Sequence, residues 1–354
     1  MTGRTPRLRR VRRFVPGGRT AKKGATPKVV ALGGGMGLSA SLAALRRITG
    51  DLTAVVTVAD DGGSSGRLRD ELGVLPPGDL RKALAALCGD DEWGQTWARV
   101  IQHRFQSEGE LHDHAVGNLL IVALWEQLGD HVQALDLVGK LLGAQGRVLP
   151  MSAVPLELQA QVRGHEMARP DAVTTVRGQA TVALTRGEVL SVHVVPEDPP
   201  AVPEAVAAVR DADWVVLGPG SWFSSVIPHL LVPELREALE ETKARKVLSL
   251  NLAPQPGETD GFSPQRHLEV LARHAPKLAF DVVLADQAAV PDIEGLTVAA
   301  KQLVGSEVEL AAVAAQGDDA RPSAGPPPDR HDPELLAAAY DRIFRMHGRI
   351  GPWR

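Results

Sequence analysis

Cysteine is almost missing from this 354-residue chain. With Cys88 alone, an internal disulfide framework is excluded. Its place in an apolar helical run reads as a small buried hydrophobe, not a nucleophile. No apolar run reaches the roughly 18–20 residues that cross a bilayer. The first residues lack the apolar stretch of a secretory signal, so a cytoplasmic location is expected. Aromatics are only 4% of the chain, which disfavours a broad planar-ligand pocket, although Trp222 and Phe223 could stack one ring. Acid is missing from residues 1–28, which hold ten Lys/Arg; the rest carries 29 basic against 43 acidic residues, a net −14. A basic arm (1–27) on an acidic body is usually a solvated, disordered tail; the sharper reading is an arm for an anionic surface. The acidic body does not exclude an anionic ligand, because charges beyond about 8 Å are largely screened at physiological salt. No internal repeat is evident.

What is present alternates strand and helix. "KVVAL" (28–32) is a β-branched run ending in "GGGMGLS"; an apolar helical pattern follows to Arg47, then "LTAVVTVA". Strand, glycine turn, helix, strand opens a parallel α/β unit. Helical patterns dominate from Asp79 to Leu142. Between Met151 and Pro196 the period changes to two, with "LELQAQVRG", "TTVRGQATVAL" and "EVLSVHVVP" alternating around Arg-Gly turns, which predicts a small antiparallel β insertion (151–196). "DWVVLGPGS", "ARKVLSLNLAPQPGETDGF", "LAFDVVLAD" and "VELAAVAA" resume the α/β rhythm and complete a domain over 28–316. A Pro/Gly/Ala linker (317–330) precedes a C-terminal helix (331–354) with Asp332 as N-cap, Pro333 in the first turn and an apolar face of Leu336, Ala339, Tyr340 and Ile343.

Three strand ends bear unusual loops: "GGGMGLS", "ADDGGSSG" and "GPGSWFSS". In a parallel sheet such loops gather along one edge, where ligands bind. Gly33, Gly34, Gly35 and Gly37 before a helix suit a phosphate, and Gly218-Pro219-Gly220-Ser221 could form a second nest with hydroxyls from Ser221, Ser224 and Ser225. Neither the dinucleotide fingerprint nor the P-loop is matched: Leu38 stands where a third glycine belongs, and Gly-Lys-Ser/Thr is missing. Asp60 and Asp61 stand where an acid holds ribose hydroxyls; with Asp79 they could instead hold Mg²⁺, with Arg67 and Arg81 on phosphate oxygens. Asp79 could equally be a plain N-cap, and Arg69 reads as part of a solvated helix face. His112-Asp113-His114 is a poor zinc signature; His114 fits a ligand contact or a helix cap better.

Taken together and in this order, these residues resemble the gluconeogenesis factor family (YvcK-like proteins), a branch of the 2-phospho-L-lactate transferase (CofD-like) superfamily. "VTVADDGGSSGRLRDELGVLPPGDLR" carries most of the resemblance; "GNLLIVAL", "GRVLP", "GPGS", "QPGETDGF" and a later "RHD" support it. The resemblance implies a cytoplasmic protein with a Rossmann-like fold, a mostly parallel sheet with flanking helices and a small antiparallel β insertion. It implies binding of UDP-activated sugars, notably UDP-N-acetylglucosamine, homo-oligomer formation, and a role in cell shape and envelope synthesis on gluconeogenic carbon sources. By motif it places the ligand on Gly34, Gly35, Gly37, Ser39, Asp60, Asp61, Ser64, Ser65, Asp79, Arg81, His114, Asn118, Gly218, Gly220, Ser221, Asn251, Gln255 and Arg330. The candidate set takes in the intervening Met36, Leu38, Gly62, Gly63, Gly78 and Pro219 as well, together with Arg67. Several family hydroxyls are replaced here, by Met36, Ala115-Val116, Phe223 and Ala253-Pro254.

No nucleophile or committed acid–base pair stands out, which favours a binding regulator needing no cofactor. The alternative is a transferase moving a phospholactyl group from a guanosine diphosphate donor to a deazaflavin, with Mg²⁺. A nicotinamide dehydrogenase fits the first βαβ unit alone.

Overall fold

A computed structural model describes residues 26–166, 169–185, 187–315 and 330–347. Nearly all of the basic arm, the linker up to residue 329 and residues 348–354 lie outside the described residues. Seven strands form one parallel sheet: β1 (Lys28–Gly33), β2 (Asp51–Val56), β3 (Arg147–Pro150), β7 (Trp214–Leu217), β8 (Arg245–Ser249), β9 (Val282–Asp286) and β10 (Glu307–Ala311). Their order is β10-β9-β8-β7-β1-β2-β3. Central strands of such a sheet are covered on both faces and read as unbroken apolar runs. Val29 to Leu32 and Trp214 to Leu217 accordingly are all buried.

Helix α1 (Gly35–Leu45) buries Leu38, Ser41, Leu42 and Leu45, spaced at three and four residues along one face. It packs against α3 (Gly78–Ala86) and the C-terminal helix Pro333–His347. Asp332 caps that last helix, accepting from the amides of Glu334 and Leu335, and Leu336, Ala339, Tyr340 and Ile343 are buried as the pattern predicts. Phe344 stacks on Trp214 of β7 with ring centroids 4.4 Å apart, so this helix lies directly over the sheet's middle. Between β2 and α3 in the sequence, α2 (Gly63–Leu72) ends on Gly73 in the left-handed region.

The insertion is a separate antiparallel sheet in the order β5-β4-β6, built from β4 (Glu157–Arg163), β5 (Val173–Arg177) and β6 (Glu188–Val195). One expectation is corrected here. "QATVA" does not continue the alternating pattern; Gln179–Ala183 is a short helix. Gly178, at φ 88°, turns the chain, and the Asp61 carboxylate accepts from Ala180 N at 2.8 Å, satisfying an amide of its first turn. Arg69 is also corrected: it is half-buried and its guanidinium donates to the carbonyl of Leu156 at 2.8 Å, tying α2 to the start of the insertion.

His229 is fully buried between β2 and the β7–β8 connection, with Nε2 3.1 Å from the Val55 carbonyl, and burial pushes its pKa down to about 4. His331 is pushed down to about 4 by burial as well. The unfolded chain, with histidines near 6.5, binds more protons below that value, so stability is full above about pH 6.5 and is lost as pH falls toward 4. Urea denaturation between pH 7 and pH 4 should therefore show a falling midpoint, with His229 alone accounting for about 3 kcal/mol at the acid end.

Candidate functional site

The carboxyl ends of β1 and β7 emerge side by side, with Gly218 N donating to the Leu32 carbonyl at 3.0 Å. The strand order reverses at this point, β2 lying on one side of β1 and β7 on the other, which is where open α/β sheets leave a ligand crevice. One wall is the entry to α1, through extended Gly34 and then Gly35 at φ 58°. The first amides of a helix have no carbonyl one turn back. Asp79 Oδ2 takes that of Gly35 at 2.9 Å; Gly34 supplies no side-chain cap, and Met36 and Gly37 line the crevice.

The opposite wall is Gly218-Pro219-Gly220-Ser221. The two turns meet backbone to backbone: a Cβ on Gly37 would lie 2.3 Å from the Pro219 carbonyl oxygen and 2.6 Å from Gly220 Cα. A Cβ on Gly34 would lie 2.4 Å from Thr57 and 2.7 Å from Asp79. At Gly37 the obstacle is main chain, so space alone requires glycine there; at Gly34 it is the side chains of Thr57 and Asp79.

The loop after β8 then holds the second turn. Asn251 accepts from Gly220 N at 2.9 Å and donates to Gly220 O at 2.8 Å. Gln255 accepts from Trp222 N at 3.1 Å and donates to Ser221 Oγ at 3.2 Å. The buried Glu258 accepts from Phe223 N and the Ser224 hydroxyl, and burial holds its carboxyl above the usual range. This corrects the expected nest: the amides of Gly220, Trp222 and Phe223 and the Ser224 hydroxyl are satisfied within the protein. What the turn presents to the crevice is Ser221 and Ser225.

The resulting cavity has a volume of about 460 Å³. Arg330, His331 and Ala183, the last from the insertion's helix, complete its walls. An apolar annex of about 280 Å³ adjoins it, sharing Met36, Gly37, Arg330 and His331 and reaching along α1 past Ser39, Ala40 and Ala43 to Pro333. Half-buried His331, its pKa pushed down to about 4, stays neutral at pH 7, so Arg330 and the α1 N-terminus are the positive features of the site. Leu38 is buried beneath Gly33 rather than in the wall.

The remaining candidates form a second centre, reached through Asp79, whose other oxygen accepts from Lys82 Nζ at 2.8 Å. Asp60 accepts from Gly62 N at 3.0 Å and lies beside Ser65 and under Gly78, where a Cβ would meet Ser65 Oγ at 2.3 Å. Ser64 Oγ is the hub of His114 Nδ1 at 3.1 Å, Asn118 Nδ2 at 2.9 Å and Ala115 N at 3.4 Å. Arg81 is 3% exposed, and its Nε and Nη1, like Asn118 Oδ1, are buried without a hydrogen-bond partner among the described residues. Burial, reinforced by Arg104, lowers the Arg81 pKa, and burial with neighbouring Asp79 raises that of Asp60.

Two expected ligand groups are employed elsewhere. Asp61 faces the insertion, with a Cβ on Gly178 only 2.3 Å from its Oδ2, and Gly63 stands exposed at the start of α2. Arg67 is exposed and donates to the carbonyls of Glu110 and His112. Asp60, Asp61 and Asp79 therefore do not converge on one cation, and no group of three His, Cys, Asp or Glu able to hold a metal occurs among the described residues. Trp222 and Phe223 are not offered to a ring ligand either; both are fully buried, edge-on to His267 and Phe262. Glu258, His331 and Ala183 were not singled out by the sequence, whereas Ser225 was, as a hydroxyl of the second turn; Glu258 sits inside "QPGETDGF", a segment from which only the glutamine was carried to the site.

A family model described as 2-phospho-L-lactate transferase CofD matches residues 29–321. A gluconeogenesis factor of Listeria innocua is 39% identical over 268 residues, covering 75% of this chain and 79% of its own. A Mycobacterium leprae protein provisionally given the same name is 51% identical over 323 residues, 90% of this chain and 87% of its own. The crystal structure of a UPF0052-family protein from Bacillus halodurans superposes with a TM-score of 0.77 at 32% identity, covering 88% of this chain and 98% of that one. The mostly parallel α/β fold is thus shared with that solved structure. The chain belongs to the CofD family, in the branch whose members are named gluconeogenesis factors.

Two substitutions test this geometry. Gly37→Ala forces the two turns apart and should destabilise by about 1–3 kcal/mol despite alanine's better helix propensity, read as a lower melting temperature. Asp60→Asn should act the other way. A carboxyl raised in the folded state loses stability as pH rises through its folded pKa, so removing the charge should raise the melting temperature at pH 7 and leave it nearly unchanged near pH 3.

Proposed function

We propose that the protein is a nucleotide-sugar-binding regulator, with a UDP-sugar of the UDP-N-acetylglucosamine type in the switch-point cavity. The observation that carries this reading is the pairing of an uncapped helix entry, at Met36 and Gly37, with the Ser221 and Ser225 turn across one cavity. Amides at a helix N-terminus, hydroxyls opposite and Arg330 on the rim match the charge and hydrogen-bonding capacity of a diphosphate. The cavity's volume falls within the 300–1,000 Å³ typical of small-molecule sites. The adjoining annex, apolar along Ala40, Ala43 and Met36, suits the face of a pyrimidine, with Arg330 and His331 at its polar edge. A role in cell shape and envelope synthesis on gluconeogenic carbon, in the cytoplasm and as a homo-oligomer, is part of this proposal, supported by the resemblance to the gluconeogenesis factors.

A second reading has one observation in its favour. The Asp60–Ser64–Arg81–Asn118 centre holds unsatisfied buried donors and an acceptor on the far side of Asp79 from the cavity, and a transferase needs two ligand sites back to back. The three aspartates do not form a cation set, so no step is assigned to Mg²⁺.

Calorimetric titration with UDP-N-acetylglucosamine, GDP and NAD separates the readings. Binding of the UDP-sugar alone, weakened tenfold or more by Asn251→Ala, is the expected result. Failure of every uridine nucleotide to bind would retire the regulator, and turnover of a guanosine-diphosphate lactyl donor with a deazaflavin would establish the transferase.

A further inference from the structure

The chain contains one tyrosine, and it is fully buried. Tyr340 comes from the C-terminal helix, yet its hydroxyl lies under the switch point, 3.0 Å from Ser41 Oγ of α1 and 3.4 Å from Ser249 Oγ at the end of β8. Ser41 in turn donates to the carbonyl oxygen of Gly218 at 3.2 Å. Ser41 and Ser249 are both buried, so none of these hydroxyls has water to fall back on.

Proton counting orders the chain. Each serine or tyrosine hydroxyl has one hydrogen. Tyr340 donates its hydrogen to Ser249 Oγ, so in its contact with Ser41 the phenol oxygen accepts, and the single Ser41 hydrogen lies between the Gly218 carbonyl oxygen and the phenol oxygen. One hydroxyl thereby ties together α1, the Gly218-Pro219-Gly220-Ser221 turn and β8, the three elements that supply the cavity's two walls and the loop with Asn251 and Gln255.

We infer that Tyr340 is a positioning residue for the cavity: from beneath, its hydroxyl sets the separation of the helix entry from the turn opposite. The same C-terminal segment adds Arg330 and His331 to the rim, so one element reaches the site from the side and from below. Ring packing is a separate matter, met by Phe344 with a centroid distance of 6.3 Å. A phenylalanine would keep the packing and lose the link.

The affinity part of this inference rests on the UDP-sugar reading; the structural part does not. The test is therefore hydrogen–deuterium exchange of the full chain without ligand, followed by titration with UDP-N-acetylglucosamine. In Tyr340→Phe the amides of Gly218, Gly220 and Trp222 should exchange at least tenfold faster and the affinity should fall about tenfold. Ile343→Val, which trims the same buried face of the same helix, should lower the melting temperature without moving either readout. Ser41→Ala breaks the link from its other end and should reproduce the Tyr340→Phe result, with the double variant no worse than the more affected single one; it also keeps the test open should Tyr340→Phe fold poorly. Unchanged exchange at the turn in both hydroxyl variants, or an equal acceleration in Ile343→Val, overturns the inference. Faster exchange in a protein that binds no uridine nucleotide upholds the positioning role and rejects the ligand.

Discussion

The site depends on two backbone turns meeting where no side chain can stand between them. Gly37 lies against Pro219 and Gly220 so closely that a single carbon would separate them, and Gly34 has as little room against Thr57 and Asp79. Everything else at the site follows from holding that approach. Asp79 anchors one turn through the amide of Gly35, Asn251 and Gln255 anchor the other, and α1 spans both. Close approach of two main chains brings polar groups together with little bulk, and this is what places a helix entry and a pair of hydroxyls on one cavity, the arrangement on which the proposed diphosphate site rests.

The acidic loop has a different place from the one its composition suggests. "ADDGG" looks like a cluster of ligands, but its two aspartates part company within one residue. Asp60 turns inward to a buried polar centre beside Arg81, whereas Asp61 reaches across to the amide of Ala180 in the insertion. A half-buried carboxylate repelled by Asp79, at Asp60, and a buried guanidinium with unpartnered nitrogens, at Arg81, lower stability, and proteins keep such groups chiefly where function requires it.

Much of this was legible in the sequence, for reasons that can be named. Strands β1 and β7 are apolar throughout because both faces are covered, and the glycines after them announce turns. The C-terminal helix declared its start through Asp332 and Pro333 and its buried face through Leu336, Ala339, Tyr340 and Ile343. What stayed hidden was everything set by contacts between distant segments. Periodicity could not reveal that "QATVA" is helical, because the deciding acceptor, Asp61, lies 119 residues away. Nor could residue type distinguish a ligand from a clamp: Asn251 and Gln255 were expected as ligand residues, and their side chains bond the main chain and the Ser221 hydroxyl of the turn. Trp222 and Phe223, beside a ligand loop and apparently available, belong to the core.

The insertion shares no strand with the main sheet, yet Ala183 stands in the cavity wall and Gly257 of the loop after β8 lies against Ala183. A rim built from a module with its own small sheet can be lengthened, shortened or recontoured without disturbing the pleated layer beneath. Divergence within this lineage thus has a place to act on what enters the crevice while the architecture that forms the crevice is inherited intact.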